Sequence, residues 1–178
     1  NMKASAVSLG CMRMGGLSQA KTDTIIESAI DCGVNFFDHA DIYGGGSSER
    51  LFGDWLARNP QKREDIIIQS KCAIHDGQYD FSKEHIISSV EGSLKRLGID
   101  CIDVLLLHRP DLLMEPEEVA KAFDKLKSSG KVRHFGVSNQ NSYQMQLLQS
   151  AMDMPICANQ LQYGIMHAPM VQAGINVN

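Results

Sequence analysis

Short apolar runs and segments of helical period take turns along this chain, and that alternation limits its fold more than any other feature. VSLG (7–10), VNFFD (34–38), DIIIQSK (65–71), IDVLLLH (102–108), VRHFGVSN (132–139) and ICANQ (156–160) read as six strands. IDVLLLH is apolar without a break, as a strand covered on both faces must be. Between the runs lie five helix-length connections. TIIESAIDCG keeps Ile25, Ile26, Ala29 and Ile30 on one face, with Gly33 at its C-terminal end. ERLFGDWLARN follows Ser48 as a candidate cap and stops at Pro60. SKEHIISSVEGSLKRLG starts at Ser82 and ends at Gly98, and PEEVAKAFDKLKSSG has Pro116 in its first turn and Gly130 behind it. A short helix fills 142–150.

Strict β-α alternation means a parallel sheet with right-handed crossovers, either an open doubly wound sheet or a barrel. The strand ends decide between them. Reading past each apolar run gives Asp38, then Lys71, His108, Ser138 with Asn139, and Asn159 with Gln160. An open sheet concentrates its ligand residues at one switch point, whereas a barrel spreads them over the C-terminal ends of many strands. LGCMRMGG, after the first strand, lacks the spacing of a dinucleotide-binding glycine loop. The expected fold class is therefore α/β, a (β/α)8 barrel of the TIM type of which this chain covers about the first six strands. Residues 1–178 form one domain, the N-terminal portion of that barrel. A closed barrel typically takes about 250 residues, so the last two strands are expected to lie outside this sequence. The portion alone is expected not to bind a cofactor.

Chemistry sorts the strand-end residues. A phenol titrates near ~10 in water and is a poor acid–base group at neutral pH unless a cation stabilises its phenolate. Tyr43 stands five residues after Asp38, in FFDHADIYGGG. Lys71 is the candidate cation, Asp38 the carboxylate that holds it, and His108 the group left to orient a substrate oxygen. Such a set suits delivery of a proton to a carbonyl oxygen as hydride reaches its carbon. The amides of Asn139 and Gln160 suit a flat carboxamide such as that of nicotinamide. Trp55 reads as core, and Tyr79 and Phe81, in the loop after Lys71, read either as pocket lining or as surface packing.

The bulk numbers exclude several classes. With 17 Lys and Arg against 21 Asp and Glu, the net charge is −4 and no basic run stands out, so neither nucleic acid nor an anionic membrane surface is an expected partner. No apolar stretch is long enough to span a bilayer, and the first residues lack the apolar core of a signal peptide. The five cysteines are scattered, with no C-x-x-C pair. They read as buried free thiols in a reducing cytoplasm, which is the expected location.

The motifs, taken in order, resemble the aldo-keto reductase superfamily. GVNFFDHADIYG matches its G-x-x-x-x-D-x-A-x-x-Y-G signature, and QSKC, LLLHRPD, GVSN and NQLQY match its following landmarks. The wording is similar to a group of bacterial predicted oxidoreductases. The resemblance implies an NADP(H)-dependent oxidoreductase that reduces a small aldehyde or ketone to an alcohol. It implies Tyr43 as proton donor, with Asp38, Lys71 and His108 completing a tetrad. Contacts to the cofactor are implied for Gly10, Cys11, Met12, Asp38, Ser138, Asn139 and Gln160, and no metal is expected.

One departure stands out: His39 occupies a position where the family usually has a small residue, and an imidazole there is expected to alter the pocket or its pH response. Asp41 is expected to be structural. Three other readings compete. The resemblance extends to cofactor-binding regulatory subunits of potassium channels. His39, Asp41 and His108 would be the ligands of a metal-dependent hydrolase. Lys71 would be the nucleophile of a Schiff-base enzyme.

Overall fold

The computed structural model describes residues 2–167, so the ends of the 1–178 domain lie outside the described residues. Six parallel strands form one sheet in the order β1 (Leu9–Gly10), β2 (Phe36–Asp38), β3 (Ile67–Cys72), β6 (Ile102–Leu107), β7 (Val132–Ser138) and β8 (Ile156–Gln160). The helices α1 (Gln19–Asp31), α2 (Ser47–Arg58), α3 (Lys83–Leu97), α4 (Pro116–Ser128) and α5 (Ser142–Ser150) connect them. A two-stranded antiparallel hairpin, β4 (Ile74–His75) and β5 (Gln78–Tyr79), interrupts the step from β3 to α3. All six expected strands and five expected helices are present; the hairpin is an addition.

The sheet is curled. β2 and β8 stand four positions apart in it, which in a flat sheet would separate them by about 19 Å at ~4.8 Å per strand. Yet the Gln160 amide on β8 donates to the Asp38 carboxylate on β2 at 3.0 Å. Only a half-barrel brings them together. Its concave face holds a small apolar layer of Phe36, Ile67, Val104 and Leu106, with the polar residues in the layers above. Its convex face carries the larger cores, Phe37, Ile68, Phe52, Trp55 and Leu97 under α1 and α2, and Leu105, Leu107, Phe123 and Phe135 under α3 and α4. Side chains of a strand alternate between the two faces. That is why residues 67, 69 and 71 share the interior while 68, 70 and 72 meet helices.

Local chemistry explains most boundaries. Ser82 accepts from the His85 amide at the start of α3, and Gly98 at φ 66° ends it. Asn141 and Gln144 form a reciprocal capping box on α5. Ser48 does not cap α2, which begins at Ser47. The Ser48 hydroxyl instead accepts from the Gly15 amide at 2.9 Å and ties the loop after β1 to α2. The entry to α2 is made by Gly44, Gly45 and Gly46, all left-handed at φ 59°, 61° and 83°. Three such residues in succession are accessible only to glycine. A Cβ on Gly45 would meet nothing within 4 Å, so Gly45→Ala isolates the backbone cost, expected at ~1–2 kcal/mol. Gly44→Ala adds a clash with the Ser47 hydroxyl and is expected to cost more. Denaturant midpoints of the two variants measure the difference.

The cysteines are all free, but only Cys11 and Cys72 are buried; Cys101 is half-buried and Cys32 and Cys157 are exposed. Cys32 sits on the end of α1, where the chain leaves the convex face, and Cys157 lies on the edge strand β8. Burial of all five thiols, as expected from the sequence, does not hold.

Candidate active site

The concave face ends in a polar centre built on Asp38. β2 delivers this carboxylate, with its side chain almost enclosed, and the neighbouring strands converge on it. The Lys71 ammonium on β3 donates to Oδ1 at 2.5 Å, and the Gln69 amide, two residues earlier on the same face, donates to the same oxygen at 2.6 Å. Gln160 takes Oδ2. Lys71 Nζ has two further acceptors, the His39 carbonyl at 2.9 Å and the Tyr43 hydroxyl at 3.2 Å. All three N–H bonds of an ammonium are thereby used, and the proton of the Tyr43 hydroxyl remains free to be donated.

Tyr43 stands on the loop after β2. Its backbone amide donates to the Ala40 carbonyl, and the Asp41 amide binds the Lys71 carbonyl at 3.0 Å, so the loop is stitched to β3. The Tyr43 ring meets the His108 ring edge-on, with centroids 5.7 Å apart, and the Lys71 ammonium lies 5.1 Å from the Tyr43 ring centre. Burial, aided by the charges of Lys71 and Arg109, holds His108 down to about 4. At neutral pH it is therefore a neutral imidazole, a hydrogen-bond donor rather than a cation.

Tyr43, Lys71 and His108 line one cleft of about 200 Å³ with Ser138, Asn139 and Gln160. The β7 and β8 ends are laced together there. The Ser138 hydroxyl donates to the Gln160 carbonyl at 3.0 Å, as does the Asn139 amide N–H at 3.0 Å, and Asn139 Oδ1 accepts from the Gln162 amide. Asn139 takes φ 54°, a left-handed conformation that Asn tolerates better than most residues. Gln160 reaches the cleft through an irregularity. Phe135 pairs with Ile156 but Val137 pairs with Asn159, so β8 carries one extra residue. Alternation from Ile156, which packs on the convex core, would put Gln160 on the outer face. The bulge reverses the parity and turns it inward.

The loop after β1 is placed differently. Gly10 pairs with Asp38 in the sheet, and the Cys11 amide donates to the Asp38 carbonyl at 2.9 Å. The Cys11 side chain is buried in the convex core with its thiol pushed far above its ordinary range by burial, while Met12 is exposed. None of the three lines the cleft.

His39 does not enter the pocket. It follows the inward-facing Asp38, so its side chain points the other way, fully buried against Phe52 with ring centroids 4.7 Å apart. Neither ring nitrogen has a partner, and burial drives the imidazole down to about 3. Only its carbonyl serves the site, through Lys71. His39, Asp41 and His108 consequently do not gather into a ligand set; among the described residues the group that does is His75, Asp80 and His85. Phe81 is core, packed with Cys72 and Ala73, and Tyr79 is exposed.

Gln69 is the functional-site residue that strand-end reading misses. The available signal is its spacing, two residues before Lys71 and so on the same face. Behind the strand, the Ser70 hydroxyl donates to the buried Glu49, whose other oxygen accepts from Arg96 at 2.7 Å. This pair anchors α2 and α3 beneath the glycine turn that follows Tyr43.

Comparisons with known proteins give the family and the fold. Residues 6–176 match the model of the aldo/keto reductase family. The oxidoreductase YcsN of Bacillus subtilis is 48% identical over 155 residues, covering 82% of this chain and 52% of its own. A 6-dehydroglucose reductase of Agrobacterium fabrum is 38% identical over 178 residues, covering 93% and 60%. The glycerol dehydrogenase of Gluconobacter oxydans superposes with a TM-score of 0.83 at 30% identity, over 94% of this chain and 54% of that one. The chain thus spans between about half and three fifths of the length of these relatives. It belongs to the aldo/keto reductase family.

Proposed function

We propose that this chain carries the acid–base centre of an NADP(H)-dependent oxidoreductase that reduces a small aldehyde or ketone to an alcohol. The observation that carries the reading is the single ammonium of Lys71, bonded at once to Asp38, to the His39 carbonyl and to the Tyr43 hydroxyl. A Schiff-base role would need that nitrogen free to attack a carbonyl, whereas Asp38, the His39 carbonyl and the Tyr43 hydroxyl already surround it.

Ser138, Asn139 and Gln160 are the residues that would hold the nicotinamide. A carboxamide needs both a donor and an acceptor, which Asn139 and Gln160 each offer, and all three border the cleft of Tyr43. When bound, the reduced nicotinamide supplies hydride to the carbonyl carbon. Tyr43 gives its hydroxyl proton to the carbonyl oxygen, which becomes the alcohol. Lys71, already in contact with that hydroxyl, stabilises the phenolate left behind, and water returns the proton. Neutral His108, against the Tyr43 ring, donates a hydrogen bond that fixes the carbonyl oxygen. Asp38 keeps the ammonium in place, and Gln69 and Gln160 also donate to its carboxylate.

No helix among the described residues is long and apolar enough to cross a membrane, and the exposed free thiols of Cys32 and Cys157 suit a reducing, cytoplasmic setting. Two relatives are named for glycerol and for 6-dehydroglucose, which makes glyceraldehyde a suitable first substrate. The test is a fluorescence titration of the whole protein with NADPH and with NADH, followed by turnover of glyceraldehyde. Saturable binding that favours NADPH, with consumption of cofactor on adding aldehyde, is the expected result. Tight binding with no turnover of any aldehyde or ketone would contradict an enzymatic role.

A further inference from the structure

The segment between β3 and α3 gathers side chains that carbonyl reduction does not use. β4 and β5 pair tightly, Ile74 with Tyr79 and His75 with Gln78, around a turn at Asp76 and Gly77 with φ 49° and 77°. Asp-Gly is the dipeptide such a turn prefers. The hairpin carries His75, the chain leaving it carries Asp80, and the first turn of α3 carries His85. One nitrogen or oxygen from each lies within 4.8 Å of the other two. The imidazoles stack, with centroids 5.1 Å apart and planes 17° from parallel.

The orientation of His85 makes this more than proximity. Its Nε2 lies 3.3 Å from the Ser89 hydroxyl, one turn further along α3. In the tautomer that donates Nε2–H to Ser89, the lone pair of His85 is on Nδ1. Nδ1 faces Asp80 Oδ2 at 4.0 Å. That is too long for a hydrogen bond. A nitrogen and an oxygen sharing one tetrahedral ion at about 2.0–2.2 Å from each stand about 3.4 Å apart, so the two atoms need to close by only about 0.6 Å to hold it. A partner on the far ring nitrogen that fixes the ligating one is the usual second contact of a metal-binding histidine. Asp80 is held as well, its Oδ1 accepting from the Ser82 amide at 2.9 Å and leaving Oδ2 for the ion. His75 adds the second imidazole, with the Asp76 carboxylate 3.3 Å from its Nε2.

We propose that His75, Asp80 and His85 form a binding site for one divalent transition-metal ion, of which zinc best suits two imidazoles, a carboxylate and water. The site cross-links the hairpin to α3.

Equilibrium dialysis of the whole protein against zinc, and absorption spectra with cobalt in its place, test the proposal. The expected result is one equivalent of zinc lost at least tenfold in affinity by His75→Ala, by His85→Gln and by Asp80→Asn. Cobalt spectra should show nitrogen and oxygen ligation with no thiolate charge-transfer band. The double variant Cys32→Ser, Cys157→Ser, which removes the exposed thiols, should bind as the parent does. The His75 ring is largely exposed, so His75→Ala is expected to melt as the parent does in the absence of metal, which keeps the result independent of folding. Binding unchanged in the histidine variants, a thiolate band, or no stoichiometric binding would each overturn the proposal.

Discussion

Tyr43→Phe is expected to lower turnover of an aldehyde by about 10²- to 10⁴-fold, the range a positioned general acid contributes, while leaving NADPH affinity within about twofold. The separation of the two effects is what the geometry dictates. Phe keeps the ring that meets His108 edge-on and lies 5.1 Å from the Lys71 ammonium, so the shape of the cleft survives. Lys71 loses one acceptor and retains Asp38 and the His39 carbonyl. What disappears is the hydroxyl held by Lys71 for protonating the carbonyl oxygen, and with it the phenolate that Lys71 would stabilise. Steady-state kinetics beside a fluorescence titration give both numbers. A loss of cofactor binding equal to the loss of turnover would make Tyr43 a binding residue and remove its acid role.

His39→Leu is expected to stabilise the protein in acid and to change little above pH 7. The His39 imidazole is enclosed, without a partner on either nitrogen, and held down to about 3, against ~6.5 in an unfolded chain. Below pH 6.5 the unfolded state takes up a proton that the folded state refuses. Stability therefore falls with pH by up to 1.36 kcal/mol per unit from this one group, from pH 6.5 toward about 3. At pH 5 the difference amounts to about 2 kcal/mol, and leucine, similar in volume and able to pack on Phe52, removes it. His108, held down to about 4, contributes a second fall of the same sign. Asp41, held up to about 6 by burial and by the nearby Glu49, works the other way, since the folded state binds its proton first between about pH 6 and 3.8. The comparison of parent with His39→Leu cancels both. Urea unfolding at pH 7.5 and at pH 5 measures it; equal destabilisation of the variant at both values would mean that the imidazole is a packing element only.

The cluster of Asp38, Lys71 and His108 is legible in the sequence because β-α alternation places a strand end every thirty or so residues, and all three stand there. Their order along the chain matches their order in the sheet. Three other features are hidden for physical reasons. Gln69 sits inside an apolar strand rather than at its end, and only alternation marks it as a companion of Lys71. Gln160 itself is read at its strand end, but the bulge in β8 that turns it inward is not, since an inserted residue in a five-residue strand leaves no mark in an apolar pattern. His39 attracts attention as an imidazole next to Asp38, but adjacency on a strand means opposite faces, so it belongs to the helix layer. The cap of α2 is a similar case. A serine before an amphipathic stretch signals a start, yet three successive left-handed glycines make the turn and leave Ser48 free to bind the loop after β1.

The central claim is that Lys71 and Tyr43 serve a direct hydride transfer to a carbonyl carbon. Reduction of glyceraldehyde by the whole protein with NADPH deuterated at the transferable position tests it most directly, with the product read by mass spectrometry. The account predicts deuterium on the carbon that bore the carbonyl oxygen, one per product molecule, with no adduct at Lys71 after borohydride treatment. Unlabelled product, or a reduced adduct on Lys71, would contradict it.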